Sequence, residues 1–149
     1  MKRILLETRV FNPAEIDIAL ELIDIWLDRP GQKDYVAHVA VDEVGEVLGY
    51  VLFGPAPATV GTWDLYWIAV DSRRHNRGIG ARLLRFAEEC ARGEGLRWML
   101  IETSSLPRYV GTRAFYLRHG YPEIARVRDY YAPGDDKVMY GRRFDGAGA

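Results

Sequence analysis

The sequence predicts a mixed α/β domain in which helices flank a central, largely antiparallel sheet of six to seven strands. Three observations predict this class. Short apolar segments bounded by turn residues are typical of strands, other segments repeat apolar residues at helical spacing, and the elements follow the order β-α-β-β-β-α-β-α-β-β. The 149 residues suffice for one domain. We expect that domain to span residues 1–145, with a flexible tail at 146–149.

The first half of the chain is predicted to contain one helix and four strands. The apolar residues of segment 2–10 predict a first strand. Asn12, Pro13 and Glu15 are residue types that cap and start a helix, and Arg29-Pro30-Gly31 ends it. Three further strands are predicted at 35–42, 46–54 and 62–70.

The second half is predicted to contain two helices and three strands. Apolar residues at helical spacing predict a helix over 79–93, which Gly93 and Gly95 end. The remaining elements are a strand at 97–103, a short helix at 112–119, and two strands at 122–131 and 137–144.

Composition excludes several classes of protein. A net charge of −1 argues against a protein that binds nucleic acid by bulk charge. Cys90 is the only cysteine, so the chain has no internal disulfide, and its three histidines are too scattered to indicate a metal site. No apolar stretch approaches membrane-spanning length. We therefore expect a cytoplasmic protein with no metal and with neither nucleic acid nor membrane as a partner.

A basic loop with two glycines joins the strand at 62–70 to the helix at 79–93. Gly78 and Gly80 allow a ligand to approach the backbone closely. The first amides of the helix lack internal partners, and the helix dipole favours an anion there. Arg73, Arg74 and Arg77 add charge and donors. These features indicate pyrophosphate binding, although a plain turn with solvated arginines would contain the same residues.

Two well-known phosphate loops do not fit this segment. A P-loop requires Gly-Lys-Ser/Thr, whereas Gly80 is followed by Ala81 and Arg82. A dinucleotide-binding fingerprint requires a third glycine at the position of Leu83. The position of the loop, between an aromatic strand and an amphipathic helix, still favours a function.

Two segments resemble the GNAT superfamily of N-acetyltransferases. Leu65–Val70 followed by Arg77–Leu84 resembles the acetyl-CoA motif of the family, with Gly78 and Gly80 at its glycine positions. His75 stands where the family has Gln or Arg. The block Arg113–Tyr121 is similar to a later family block around a Phe-Tyr pair, although its alanine lies closer to that pair.

The resemblance implies a sheet splayed between its fourth and fifth strands, with acetyl-CoA in the gap and no metal. Backbone groups of Ile68, Ala69 and Val70 would then pair with the pantetheine. The pyrophosphate would meet the amides of Arg77, Gly78, Ile79, Gly80 and Ala81.

The implied activity is direct acetyl transfer from acetyl-CoA to a primary amine of a small molecule or peptide. The alternative is a catalytically silent acyl-CoA-binding module that senses or regulates. Tyr116 occupies the family position of the general acid, although a Phe-Tyr pair can also simply pack in a core. The amide of Val70, at an expected strand bulge, would stabilise the thioester oxyanion. Family members are often dimers, which leaves a homodimer open.

The general base is less defined. Glu102 ends the fifth strand, where the splayed sheet should open, and is the candidate that we prefer. Asp64 and Tyr66, which alternate toward one face of the fourth strand, are further candidates for the acceptor site. A water relay would make a single base unnecessary.

Overall fold

A computed structural model describes residues 1–74 and 78–144. Within these ranges, four helices flank a six-stranded sheet with the strand order β1-β2-β3-β4-β6-β5. The helices are α1 (Lys2–Glu7), α2 (Pro13–Asp28), α3 (Ile79–Gly93) and α4 (Val110–Arg118). The strands are β1 (Val36–Val41), β2 (Val47–Pro55), β3 (Thr62–Val70), β4 (Trp98–Ser104), β5 (Glu123–Ala132) and β6 (Asp135–Arg143). Single 3₁₀ turns at Ser72–Arg74 and Pro107–Tyr109 precede α3 and α4.

The prediction of a mixed α/β sheet is confirmed, with six strands. The first predicted strand, at 2–10, is wrong, because this segment forms α1. Ile4 and Leu5 are adjacent and both buried, whereas Leu6 is exposed, a pattern that fits a helix packed on one side. A run of three apolar residues is too short to distinguish the apolar spacing of a helix from that of a strand. Contacts with α2 and β3 favour the helix.

Helix α2 begins as its sequence predicts. The side chain of Asn12 accepts a hydrogen bond from the Glu15 amide at 2.9 Å, and the Asn12 amide donates to the Glu15 carboxylate at 2.6 Å. This reciprocal capping box fixes the first turn of α2. Arg29 is the residue at which the helix ends.

The sheet opens between β3 and β4. These two strands run parallel, while every other neighbouring pair is antiparallel. Only Thr62–Leu65 of β3 pairs with 98–101 of β4. Beyond Leu65 and Ile101 the two strands are not paired with each other. This is the predicted splay, since β3 and β4 are the fourth and fifth strands of the predicted order.

A β-bulge lies at the point where the sheet opens. Leu52 of β2 faces Trp67 and its neighbour Phe53 faces Leu65, so Tyr66 is an extra residue in β3. A bulge bends its strand and increases the local twist, which separates β3 from β4. The expectation of a bulge at Val70 is wrong, because Val70 pairs with Gly49 in the regular register.

Two apolar clusters cover the two faces of the sheet. On one face α3 packs on β2 and β3, and Leu83, Ala87 and Phe53 are almost completely buried. On the other face α1 and α2 pack on Tyr50 and Ala69. Both clusters leave the gap beyond Leu65 uncovered. No helix in the described part of the chain is long and apolar enough to cross a membrane.

Candidate active site

A groove with a volume of about 650 Å³ runs along the unpaired end of β3. Its walls are the first turn of α3, the inner face of α4, and the segment between α1 and α2. The predicted residues Ile68, Ala69, Val70, Gly78, Ile79, Gly80 and Ala81 all line it. The structure therefore brings together every predicted cofactor-binding residue that it describes.

The N-terminus of α3 presents unpaired backbone amides to this groove. Gly78 caps the helix with φ of +73°, a left-handed conformation that favours glycine. The first backbone bond of α3 runs from the Arg82 amide to the Gly78 carbonyl at 3.0 Å. The amides of Ile79, Gly80 and Ala81 consequently have no acceptor within the helix, and they suit an anion such as a phosphate.

The backbone of β3 presents alternate residues to the gap. The Asp71 amide donates to the Leu48 carbonyl at 2.8 Å, so Asp71 directs its backbone groups toward β2. The backbone N–H and C=O groups of successive residues in an antiparallel strand point to alternate sides. The groups of Ala69 therefore also point toward β2, whereas those of Ile68 and Val70 point toward the gap. The backbone of Ile68 is thus oriented to pair with an extended ligand, and Val70 faces the same side.

Asp71 binds one of the arginines that were expected to hold phosphate. The Arg73 guanidinium donates two hydrogen bonds to the Asp71 carboxylate, at 3.1 and 2.8 Å, and Arg3 of α1 adds an ion pair at 3.1 Å. The hydrogen bonds from Arg73 hold the pKa of Asp71 well below its usual range. Arg77, predicted to contribute its amide, and His75 both lie outside the described residues.

Three basic side chains that sequence reasoning missed line the groove: Arg108, Arg118 and His119. Arg118 and His119 follow Tyr116 at the end of α4, and Arg108 belongs to the 3₁₀ turn before it. The block 113–121 had marked this segment, but only for its aromatic pair. The two arginines give the groove positive charge, which favours an anionic ligand.

A second, smaller cavity, about 220 Å³ in volume, continues from the groove through the splay. The groove and the cavity share four lining residues: Phe11, Ile68, Thr112 and Tyr116. Tyr116 therefore lies where the two spaces meet. The sequence had placed it near the cofactor, but it gave no indication that a second cavity begins at the same side chain.

Tyr116 is 6% exposed, and burial raises the pKa of its phenol well above the usual range. Among the described residues, no partner forms a hydrogen bond with its hydroxyl. The side chain of Arg113, one turn earlier in α4, donates to the carbonyls of Ser104 and Leu106 at 2.8 and 2.9 Å. These bonds hold α4 against the end of β4 and so fix the position of Tyr116.

Glu102, the predicted base, also lines the second cavity. Its carboxylate forms an ion pair with Lys137 at 2.7 Å and is 44% exposed. Tyr66 lines the cavity too, and burial followed by the charge of Asp64 raises its pKa to about 12. Asp64 does not line the cavity. Its pKa is raised, first by burial and then by Glu102.

A second carboxylate in this cavity was not predicted from the sequence. Glu15 of α2 lines the cavity, and its carboxylate accepts a hydrogen bond from the Tyr109 hydroxyl at 2.5 Å. Sequence reasoning had identified Glu15 only as a capping residue. Its second role depends on Tyr109, which lies 94 positions further along the chain, so no local signal indicated it.

Comparison with known proteins gives a consistent result. The family model described as "Acetyltransferase (GNAT) domain" matches residues 33–123, which include both the α3 N-terminus and Tyr116. The L-methionine sulfoximine/L-methionine sulfone acetyltransferases of Pseudomonas paraeruginosa and Pseudomonas aeruginosa are 32% identical over 101 residues. The matched region covers 66% of this chain and only 57% of those relatives.

Solved structures share the fold. A protein from Desulfovibrio desulfuricans, placed in the GNAT acetyltransferase family, is 38% identical with a TM-score of 0.90, covering 95% of this chain and 89% of its own. A GNAT-family acetyltransferase from Elizabethkingia anophelis, solved with acetyl-CoA bound, has a TM-score of 0.67 at 19% identity, covering 83% and 82% of the two chains. These matches confirm the fold predicted from the two motifs.

Proposed function

The chain belongs to the acetyltransferase (GNAT) family, and we propose that it transfers an acetyl group from acetyl-CoA to a primary amine of a small molecule or peptide. The observation that carries the proposal is the position of Tyr116. Its side chain is 6% exposed, its hydroxyl has no described hydrogen-bond partner, and it lies where a groove suited to a phosphate-containing ligand meets a second cavity.

Acetyl-CoA would occupy the groove. The pyrophosphate would bind the amides of Ile79, Gly80 and Ala81, assisted by the predicted amides of Arg77 and Gly78. The pantetheine would pair with the backbone along Ile68–Val70, where Ile68 faces the gap. The thioester would then lie beside Tyr116, with the amine approaching from the second cavity.

The transfer needs no covalent enzyme intermediate. The amine first loses a proton, and its nitrogen lone pair attacks the thioester carbonyl carbon. The resulting oxyanion would be stabilised by the Val70 amide. When the C–S bond breaks, the CoA sulfur takes the proton of the Tyr116 hydroxyl. The amide nitrogen loses its second proton to solvent, and the phenolate recovers one from solvent.

Glu102 is the residue that we propose as the first acceptor of the amine proton. It lies on the wall of the second cavity and is partly exposed, so a proton can pass from it to water. Its ion pair with Lys137 keeps the carboxylate in place beside the cavity.

The proposal is tested by release of free CoA thiol from acetyl-CoA against a broad panel of amines, with mass analysis of the product. We expect at least one primary amine to gain an acetyl group. Binding of acetyl-CoA without turnover of any amine would contradict the proposal and would indicate a silent acyl-CoA-binding module. Absence of acetyl-CoA binding would contradict the groove assignment itself.

A further inference from the structure

The walls of the second cavity, which we call the acceptor cavity, are largely aromatic. Besides Tyr116, five rings from four parts of the chain line it: Phe11, Tyr66, Trp67, Tyr109 and Tyr131. Phe11 stands between two of them, with ring centroids 5.3 Å from Trp67 and 6.5 Å from Tyr109. Aromatic walls bury apolar groups, and the faces of their rings attract cations.

Two carboxylates, those of Glu15 and Glu102, line this cavity. Glu15 is held by the amide of Asn12 and the hydroxyl of Tyr109, so its charge is fixed in position. Glu102 lies on β4, and its charge is close enough to contribute to the raised pKa of Asp64. The cavity therefore combines apolar surface with negative charge.

The basic side chains described near the acceptor cavity do not line it. None of its described lining residues is lysine or arginine. Lys137 is bound to Glu102 and lies 4.6 Å from the Tyr130 ring centroid. Arg113 is bound to the carbonyls of Ser104 and Leu106. Arg108 lies over the Tyr109 ring but lines the groove.

A substrate carboxylate would therefore meet the carboxylates of Glu15 and Glu102, the second of them paired with Lys137, and no lysine or arginine among the described lining residues. Burial of a carboxylate requires a positive partner or several donors, and like charges disfavour the wrong ligand. An ammonium group on an apolar body meets the opposite situation, because carboxylates and ring faces both attract it.

We infer that the acceptor is a cationic primary amine on an apolar, preferably aromatic body that carries no carboxylate. This inference rests on the proposed acetyl transfer. It separates this chain from the matched Pseudomonas relatives, which are named for acetylating L-methionine sulfoximine and L-methionine sulfone, both amino acids.

The test uses acceptors that differ only in the carboxylate. Phenethylamine is compared with L-phenylalanine, and 3-(methylsulfonyl)propylamine with L-methionine sulfone, by thiol release at saturating acetyl-CoA. L-phenylalaninol, which keeps the bulk of the substituent without its charge, separates charge from size. We expect kcat/KM for phenethylamine and phenylalaninol to exceed that for L-phenylalanine by about tenfold or more.

The outcomes separate this inference from the proposed function. Equal or preferred use of the amino acid in either pair would overturn the inference while leaving acetyl transfer intact. Equally poor use of L-phenylalanine and phenylalaninol would show that size, not charge, decides, and would also overturn it. No turnover of any amine would contradict the proposed function.

A substitution tests the electrostatic cause directly. Glu102→Gln removes one charge and releases Lys137, so the preference for phenethylamine over L-phenylalanine should shrink about threefold or more. Because the ratio compares two acceptors on one enzyme, a general loss of activity does not affect it. Glu21→Gln, an exposed acid of α2 outside the cavity, is the matched control and should leave the ratio unchanged. An unchanged ratio in Glu102→Gln would contradict the inference.

Discussion

The groove and the acceptor cavity meet at Tyr116 but are built in different ways. The groove presents backbone groups, namely the amides at the start of α3 and the edge of β3 that faces the gap, with basic side chains around them. The acceptor cavity presents side chains from α2, β3, β4, α4 and β5. A backbone-built site binds the same ligand as long as the fold persists, whereas a side-chain-built site changes its ligand with single substitutions.

This difference separates ligand binding by the main chain from ligand selection by side chains within one molecule. The groove needs glycine at few positions and otherwise tolerates many side chains, because its donors belong to the main chain. The acceptor cavity depends on which rings and charges line it. Substitutions in the groove should therefore change the affinity for acetyl-CoA, and substitutions in the acceptor cavity should change the preference among amines. Tyr116 lines both and should affect the reaction itself.

The largest effect on turnover is expected at Tyr116, where the groove and the acceptor cavity meet. Tyr116→Phe removes the proposed acid and should lower kcat by about a hundredfold or more, with the affinity for acetyl-CoA little changed. Since its hydroxyl has no described partner, the free energy of unfolding should not fall. Steady-state kinetics and urea denaturation measure the two effects. Retained turnover would remove Tyr116 from the mechanism.

Tyr121→Phe is the matched control for that substitution. The Tyr121 hydroxyl donates to the buried Glu88 carboxylate at 2.8 Å, which Arg142 contacts at 3.3 Å. Its loss should cost about 1–3 kcal/mol of stability, because the buried Glu88 carboxylate loses the shorter of these two hydrogen bonds. Turnover at a permissive temperature should be retained. The two tyrosines thus separate catalysis from stability.

The groove is disrupted most directly at Gly78. Gly78→Glu places a negative charge at the α3 N-terminus and should weaken acetyl-CoA binding by about tenfold or more, as measured by calorimetry. Gly45→Glu in the β1–β2 turn is the control. Both glycines have positive φ, +73° and +84°, and a Cβ at either meets no described atom within 4 Å. Equal affinity in the two variants would contradict the groove assignment.

The smallest effect, on stability, is expected at Asp71, which connects Arg3 of α1 to Arg73 in the turn after β3. Asp71 has a lowered pKa, so its ion pairs with Arg3 and Arg73 stabilise the fold fully above its unfolded pKa of about 4. That contribution is lost as the pH falls through the lower folded pKa. Asp71→Asn should therefore unfold at lower urea concentration at pH 7.

The difference in urea midpoint between Asp71→Asn and the unsubstituted protein should narrow below about pH 4, because the Asp71 carboxylate of the unfolded chain is already protonated there. Urea midpoints at pH 7 and pH 3 measure the change. A difference that is equal at both pH values would mean that Asp71 acts by packing rather than by charge.

Local sequence was informative where local physics decides the structure. Asn12 and Glu15 predicted the start of α2 because a capping box needs only residues three positions apart. Gly78 and Gly80 predicted the α3 N-terminus for the same reason. The segment 2–10 was predicted incorrectly because three apolar residues fit a helix and a strand equally well, and only contacts with α2 and β3 distinguish them.

By itself, the sequence determined the order of the later elements, the glycine loop and the family that its two motifs resemble. The tertiary structure alone decided the bulge at Tyr66, the ion pair of Arg3 with Asp71, and the pairing of Glu15 with Tyr109. The physical reason is distance along the chain. Helix starts and turns depend on neighbours a few residues apart, whereas the register of β2 with β3, and the charges and rings of the acceptor cavity, depend on residues that only folding brings together.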